Sequence, residues 1–141
     1  MKDRLLLPPL QAILDLHAEL LAAHRGAPGL RDQGAPEAAL ARPRQILAYS
    51  TEGATVFALA AALCISLCRH HHPFIDGNKR IAFAALGMTL GLNGLYLDAT
   101  EREAAEKVIA LAAGEMDEQS FRDWVADNSF ELREPGSDPE P

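Results

Sequence analysis

The chain has 141 residues, the size of one domain with a single hydrophobic core. Twenty acidic residues against 13 basic ones give a net charge of −7, which argues against direct nucleic-acid binding, because that requires lysines and arginines to displace counterions from the phosphate backbone. Alanine and leucine are frequent while β-branched and aromatic residues are sparse, so the composition favours helix over sheet.

The sequence indicates neither a membrane-spanning segment nor a metal site formed by cysteines. No stretch approaches the roughly 20 unbroken apolar residues of a membrane span, and Pro8 and Pro9 interrupt the apolar run near the N-terminus, which lacks the features of a signal peptide. The two cysteines, Cys64 and Cys68, are predicted to be reduced thiols in a buried helix, because no second Cys/His pair stands at a zinc-finger spacing. We therefore expect a cytoplasmic protein without membrane contact.

The first predicted element is a helix from about Leu10 to His24, where apolar residues recur at helical spacing until Gly26 ends the pattern. His17 and His24 lie on its apolar stripe. Each is interpreted as a partly buried, hydrogen-bonded histidine, with a catalytic role as the less favoured alternative.

Weaker signals follow this helix. Residues 27–34 are rich in glycine and proline and predict a loop. Pro36 suits the first turn of a short helix, which is predicted to end before Pro43. The pattern over residues 44–53 fits either an irregular loop or a short hairpin.

Two central segments, residues 54–69 and 78–92, are apolar on nearly every face. This pattern is typical of helices buried at the centre of a domain. Asn93 and Gly94 predict the end of the second helix, and a short link follows over residues 95–97.

The C-terminal part contains two further predicted helices. Thr100 and Glu103 have the spacing of a capping box and start a helix that runs to about Ala113, and Asp117 can cap the last helix. The acidic, proline-containing residues 129–141 are predicted to be a disordered tail. The prediction is therefore an all-α domain of about six helices over residues 1–128.

A polar, charged run separates the two central helices, with the sequence HHHPFIDGNKR over residues 70–80. Gly77 and Asn78 fall where the second helix begins, and the unpaired N–H groups of a helix N-terminus suit a phosphate. Lys79 and Arg80 add two cations beside that position. The residues by themselves indicate a phosphate-binding site on a helical scaffold.

Other side chains of the run have candidate roles. His72 is the candidate general base, because histidine can accept a proton near neutral pH. Asp76 is favoured as a ligand of Mg²⁺, which is usually held by one or two carboxylates and substrate phosphates; the alternative is a helix N-cap. Phe74 is interpreted as an anchor in the core. A metal site formed with His70 and His71 is disfavoured, because three consecutive residues rarely direct three ligands at one ion.

The run from His72 to Arg80 resembles the signature of the Fic/Doc superfamily, and it is closest to the Doc (death-on-curing) branch of bacterial toxin–antitoxin toxins. Supporting similarity extends over residues 5–125. The resemblance implies a Fic-type helical bundle whose active-site loop lies between two buried central helices. It implies that His72 is the general base, that Asp76 holds Mg²⁺ and that Phe74 is the buried anchor. The implied phosphate cradle consists of Gly77, Asn78, Lys79 and Arg80.

Two departures from the Fic branch bear on the reaction. Fic enzymes carry a second glycine where this chain has Lys79 and a second arginine where it has Phe83, and those features hold the nucleotide for AMP transfer. Their loss implies the inverted pose associated with Doc, in which the γ-phosphate of ATP is transferred and the enzyme is a protein kinase. The first alternative to the kinase is an enzyme that transfers AMP or another nucleotide to a protein. The second alternative is an inactive subunit that binds the antitoxin.

The resemblance also implies cofactors and partners. The expected cofactors are ATP, or another nucleotide, with Mg²⁺. Doc-type toxins phosphorylate elongation factor Tu, and this phosphorylation arrests translation. They are restrained by a small antitoxin whose C-terminal segment lies in a groove beside the active site. In the family, the flap that docks the target corresponds to residues 44–53.

Overall fold

The computed structural model describes residues 5–49 and 55–132. Its helices and strands, in chain order, are α1 (Leu10–His24), α2 (Ala35–Tyr49), α3 (Val56–Ile65), α4 (Asn78–Leu92), β1 (Leu95–Leu97), α5 (Glu101–Ala113), α6 (Glu118–Asp127) and β2 (Ser129–Glu131). Beyond its α-helical part, α3 continues as a π-helical turn over Ser66–His70. The predicted all-α class with about six helices is confirmed.

Helix α3 occupies the centre of the molecule and contacts α2, α4, α5 and α6. Eight of its ten residues are buried, as expected for a helix that is apolar on every side. Removing apolar surface from water is the main favourable contribution to folding, and α3 contributes to it with most of its side chains. Although α3 is strongly apolar, no helix within residues 5–49 and 55–132 is long and apolar enough to cross a membrane.

Local capping signals set several helix ends where they are predicted. Thr100 Oγ1 accepts a hydrogen bond from the Glu103 N–H at 3.0 Å, and Asp117 Oδ1 accepts one from Ser120 at 2.7 Å. The hydrogen bond from the Ser120 backbone lowers the pKa of Asp117. Helix α1 ends on Arg25, which takes the left-handed conformation (φ 59°) and donates its N–H to the Leu21 carbonyl.

The end predicted for α2 is wrong, because the helix continues through Pro43 to Tyr49. Proline has no N–H, so the Ala39 carbonyl one turn earlier loses its normal partner. The Ser66 hydroxyl donates to that carbonyl instead. Both groups are buried, so the substitute bond removes the main reason for the helix to stop. Residues 44–49 are thus helical rather than a loop or hairpin, and residues 50–54 lie outside the described residues.

The predicted link and the start of the predicted tail form a two-stranded antiparallel sheet. Tyr96 pairs with Phe130, and their rings lie 6.0 Å apart between centroids on the exposed face. Leu95 and Leu97 point to the other face and pack against the core. The prediction that the disordered tail starts at Ser129 is therefore wrong, since β2 extends to Glu131. Residues 133–141 lie outside the described residues.

Candidate active site

The charged run connects the π-helical turn to α4, and it opens into a cleft of about 700 Å³. One side of the cleft carries the predicted site residues His72, Asp76, Gly77, Asn78, Lys79 and Arg80. The opposite side is apolar and comes mainly from α5, with Ala105, Val108, Ile109, Ala112 and Ala113. Phe83 of α4 also lines the cleft. The structure thus brings the predicted polar residues together and adds an apolar wall.

Residues 71–77, here named the signature loop, are held by residues 26–31, here named the bracing loop. The Arg31 N–H donates to the Pro73 carbonyl at 2.9 Å, and the Ile75 N–H donates to the Gly29 carbonyl at 3.0 Å. These bonds flank an antiparallel bridge between Leu30 and Phe74. The segment predicted only as a loop therefore fixes the backbone of the signature loop.

His72 occupies a constrained position at the start of the cleft. Its φ of 43° is rare for a residue with a side chain, and such conformations persist where the surrounding structure enforces them. Its Nε2 lies 2.8 Å from the carbonyl oxygen of Cys68 in the π-helical turn. Because a carbonyl can only accept, Nε2 carries the hydrogen in this arrangement, and Nδ1 is the nitrogen able to take up a proton.

Phe74 is 2% exposed and anchors the signature loop in the core. Asn78 fixes the same residue from α4: its Oδ1 accepts the Phe74 N–H at 3.0 Å, and its Nδ2 donates to the Phe74 carbonyl at 2.9 Å. The Asn78 side chain is therefore engaged within the protein. Only its backbone N–H is placed to serve the predicted phosphate cradle.

The Asp76 carboxylate is exposed and lines the cleft. Its Oδ2 accepts a hydrogen bond from the Ala27 N–H of the bracing loop at 3.1 Å. The N-cap of α4 is Gly77, and no side chain caps this helix, so the alternative that Asp76 is the cap is wrong. An oriented, solvent-accessible carboxylate fits Mg²⁺, which takes one or two carboxylates and completes its shell with phosphate and water.

The first turn of α4 presents a concentration of positive charge. Its N–H groups have no partners within the helix, and the side chains of Lys79 and Arg80 are exposed along the cleft. Neither cation pairs with an acidic side chain in the part of the chain that the structure describes. Gly77 has a φ of 84°, a conformation that glycine adopts without strain. This turn can bind a phosphate.

His70 and His71 are exposed and are absent from the lining of the cleft. Partial desolvation of the ring and the charge of Arg42 lower the pKa of His70. Within residues 5–49 and 55–132, no three His, Cys, Asp or Glu side chains come close enough to share one metal ion. His72 differs from both in that it lines the cleft and bonds the Cys68 carbonyl.

Sequence reasoning did not favour a site role for two further residues, His17 and Cys68. His17 was predicted to be partly buried and hydrogen-bonded, with a catalytic role as the less favoured alternative; its ring stacks on Phe74, and its Nε2 contacts the Asp76 carbonyl. Cys68 lines the cleft, and a hydrogen bond with Cys64 lowers the pKa of the Cys68 thiol. Both cysteines are buried free thiols as predicted. Spacing along the chain could not reveal the contacts of His17, which join residues 59 positions apart.

Comparison with known proteins gives the family. Residues 7–90 match the family model described as the Fic/DOC family, and the chain belongs to that family. It is 38% identical over 100 residues to the protein named Toxin Doc of Mycolicibacterium smegmatis, covering 70% of this chain and 71% of that relative. It is 29% identical over 115 residues to the protein named Protein kinase doc of Escherichia phage P1, covering 82% and 89% respectively. These matches confirm the predicted resemblance to the Doc branch.

Proposed function

We propose that the protein is a Doc-type toxin that transfers the γ-phosphate of ATP to a hydroxyl group of a protein, with elongation factor Tu as the target. The observation that carries this proposal is the meeting, in one cleft, of His72, Asp76 and the cationic first turn of α4. Phosphoryl transfer depends mainly on positioning and on stabilising negative charge. The name of the phage P1 relative, Protein kinase doc, supports the same reaction class.

The phosphates of ATP bind at the first turn of α4 in this proposal. The backbone N–H groups there and the side chains of Lys79 and Arg80 supply the donors and the positive charge. The nucleobase lies toward the apolar wall formed by Val108 and Ile109 of α5, because ligand pockets combine apolar walls with a few directed polar groups.

Asp76 would hold Mg²⁺ beside the phosphates. The ion supplies positive charge that offsets the charge of the transferred group. The Ala27 N–H fixes one carboxylate oxygen of Asp76 at 3.1 Å. This bond orients the other oxygen, which is then available to the metal.

His72 takes the proton of the attacking hydroxyl. The hydroxyl oxygen forms a bond to the γ-phosphorus while the bond from that phosphorus to the bridging oxygen breaks, and ADP leaves. The hydroxyl proton passes to Nδ1 of His72, since the hydrogen bond to the Cys68 carbonyl keeps the proton on Nε2. The imidazolium then returns its proton to solvent.

Transfer of AMP is the competing reaction within the same family. It would require the α-phosphate to occupy the position in front of the attacking hydroxyl. Lys79 and Phe83 both line the cleft, at the two positions where Fic enzymes carry glycine and arginine. A long cation and an aromatic ring there favour a different placement of the phosphate chain, and this supports γ-phosphate transfer.

A paired labelling experiment tests the reaction and the target together. The purified protein is incubated with elongation factor Tu and Mg²⁺, with ATP labelled on either the γ- or the α-phosphate. We expect label on the factor from γ-labelled ATP only, and none with His72→Ala. The control is His71→Ala, an exposed neighbour that does not line the cleft, which should retain transfer. Label from α-labelled ATP would replace the kinase proposal with nucleotide transfer.

We further propose a small antitoxin as partner and the cytoplasm as the location, on the basis of the family. An inactive antitoxin-binding subunit is the remaining alternative. Calorimetry with Mg²⁺ and a non-hydrolysable ATP analogue separates it from an enzyme: saturable binding that weakens in Arg80→Ala supports the enzyme, and absence of binding favours the inactive subunit.

A further inference from the structure

We propose that His17 of α1 is a positioning residue that fixes the backbone between Asp76 and Gly77, and so places the carboxylate and the phosphate cradle relative to each other. The inference rests on the proposed function, because it assigns His17 to that same site. It comes from three contacts of one side chain.

The first contact is an aromatic stack. The ring of His17 lies nearly parallel to that of Phe74, with 3.5 Å between centroids and 11° between planes. His17 is 5% exposed and Phe74 is 2% exposed, so the pair is buried together. Since Phe74 belongs to the signature loop, the stack fixes this loop against α1.

The second contact is a hydrogen bond to the backbone of the site. Nε2 of His17 lies 2.8 Å from the carbonyl oxygen of Asp76, so Nε2 carries the hydrogen and donates it. This carbonyl belongs to the peptide unit that joins the proposed metal ligand to Gly77, the N-cap of α4. Fixing this peptide unit fixes the direction of the carboxylate on one side and of the first helical N–H groups on the other.

The third contact concerns space. A Cβ atom on Gly77 would lie 3.4 Å from Nε2 of His17, at van der Waals contact, so the imidazole bounds the space beside the glycine. The histidine thus combines a flat ring that stacks, a donor at the correct distance and a ring edge that bounds the space beside Gly77. A leucine could fill the space but could not donate, whereas a glutamine carries a donor at a comparable distance from the backbone.

The test compares His17→Leu, His17→Gln and His24→Gln. His24 lies on the same helix and is exposed, so its variant is the matched control. The first readout is hydrogen–deuterium exchange of backbone amides without any ligand. In His17→Leu we expect the amides of residues 74–77 to exchange about fivefold faster, the factor for one lost hydrogen bond, while those of α5 are unchanged. His17→Gln should remain close to the unsubstituted protein.

The second readout is the Mg²⁺ concentration that gives half-maximal binding of a non-hydrolysable ATP analogue. We expect it to rise about fivefold in His17→Leu and to recover in His17→Gln. Unchanged exchange in the signature loop of His17→Leu would overturn the inference, and so would uniformly faster exchange throughout the chain, which indicates a purely structural role. If the unsubstituted protein binds no nucleotide, the proposed function fails, while the exchange data still decide the role of His17.

Discussion

Two non-glycine residues of the described chain adopt positive φ angles, and they do so for different reasons. Arg25 has a φ of 59° at the exposed end of α1, where helices commonly finish in the left-handed conformation. His72 has a φ of 43° inside the cleft, between the buried Pro73 and the π-helical turn. The bracing loop holds the second conformation, since Arg31 bonds the carbonyls of both His72 and Pro73.

Replacing each residue by glycine separates backbone strain from side-chain chemistry. Arg25→Gly should raise the free energy of unfolding by about 0.5–1 kcal/mol, because glycine avoids the left-handed penalty of an L-residue, and phosphate transfer should be unchanged. His72→Gly relieves the same strain but removes the proton acceptor, so transfer should be lost while the protein stays folded. Urea unfolding followed by circular dichroism, together with the transfer assay, measures both effects. Loss of stability in Arg25→Gly would contradict this account.

At the scale of elements, the geometry of the site depends on helix ends that are fixed by hydrogen bonds to residues distant in the sequence. The Pro43 ring removes a hydrogen bond from α2, and the Ser66 hydroxyl replaces it from the π-helical turn that follows α3. The same turn supplies the Cys68 carbonyl that accepts from His72. The irregular end of α3 therefore serves both the packing of α2 and the orientation of the proposed base, in keeping with the frequent location of π-helical turns at functional sites.

A double-variant cycle tests the link between Ser66 and Pro43. Ser66→Ala leaves the buried Ala39 carbonyl without a donor and should lower the free energy of unfolding by about 1–3 kcal/mol. Pro43→Ala restores a backbone N–H that can donate to that carbonyl. We therefore expect Pro43→Ala to recover most of the loss in the Ser66→Ala background. Additive losses in the double variant would show that the two groups do not share the Ala39 carbonyl.

The elements that could be predicted from the sequence are those set by local signals. The bounds of α1 and α4, the caps of α5 and the charged run between the central helices follow from spacing and capping within a few residues. The full length of α2 could not be predicted, because its continuation depends on Ser66, 27 residues after Ala39. The sheet was missed for the same reason, since β1 and β2 are separated by two helices.

The candidate site was predictable only in part. The signature itself points to His72, Asp76 and the start of α4, which do line one cleft. The engagement of the Asn78 side chain with Phe74, the stack of His17 and the wall from α5 arise only when distant elements pack. Such contacts leave no periodic or compositional mark on the sequence.

At the scale of the whole molecule, the residues matched by the family model and the folded unit differ in extent. The match covers residues 7–90, which include both central helices and the signature loop. Yet α5 forms the apolar wall of the cleft, and α6 packs on α3. Both lie beyond the matched residues, so the site needs parts of the chain outside the family match.

Two shortened chains test where the folded unit ends. A chain that stops at Asn128 lacks β2 and its pairing with β1, including the Tyr96–Phe130 pair. We expect its free energy of unfolding to fall by about 2 kcal/mol, from a few net hydrogen bonds and one cross-strand aromatic pair. A chain that stops at Leu132 keeps the sheet and should be more stable than the first chain by that amount. Equal stability of the two shortened chains in urea unfolding would show that β2 contributes little.

The central position of α3 has a consequence for the order of events during synthesis. This helix carries the signature loop at its C-terminal end, but its surface is completed by α6, which leaves the ribosome more than 50 residues later. Until α6 has emerged, α3 exposes apolar surface and cannot hold the loop in its final geometry. We therefore expect the cleft of a nascent chain to reach its final geometry only after α6 has emerged, so that any activity proposed for the site would begin late in synthesis.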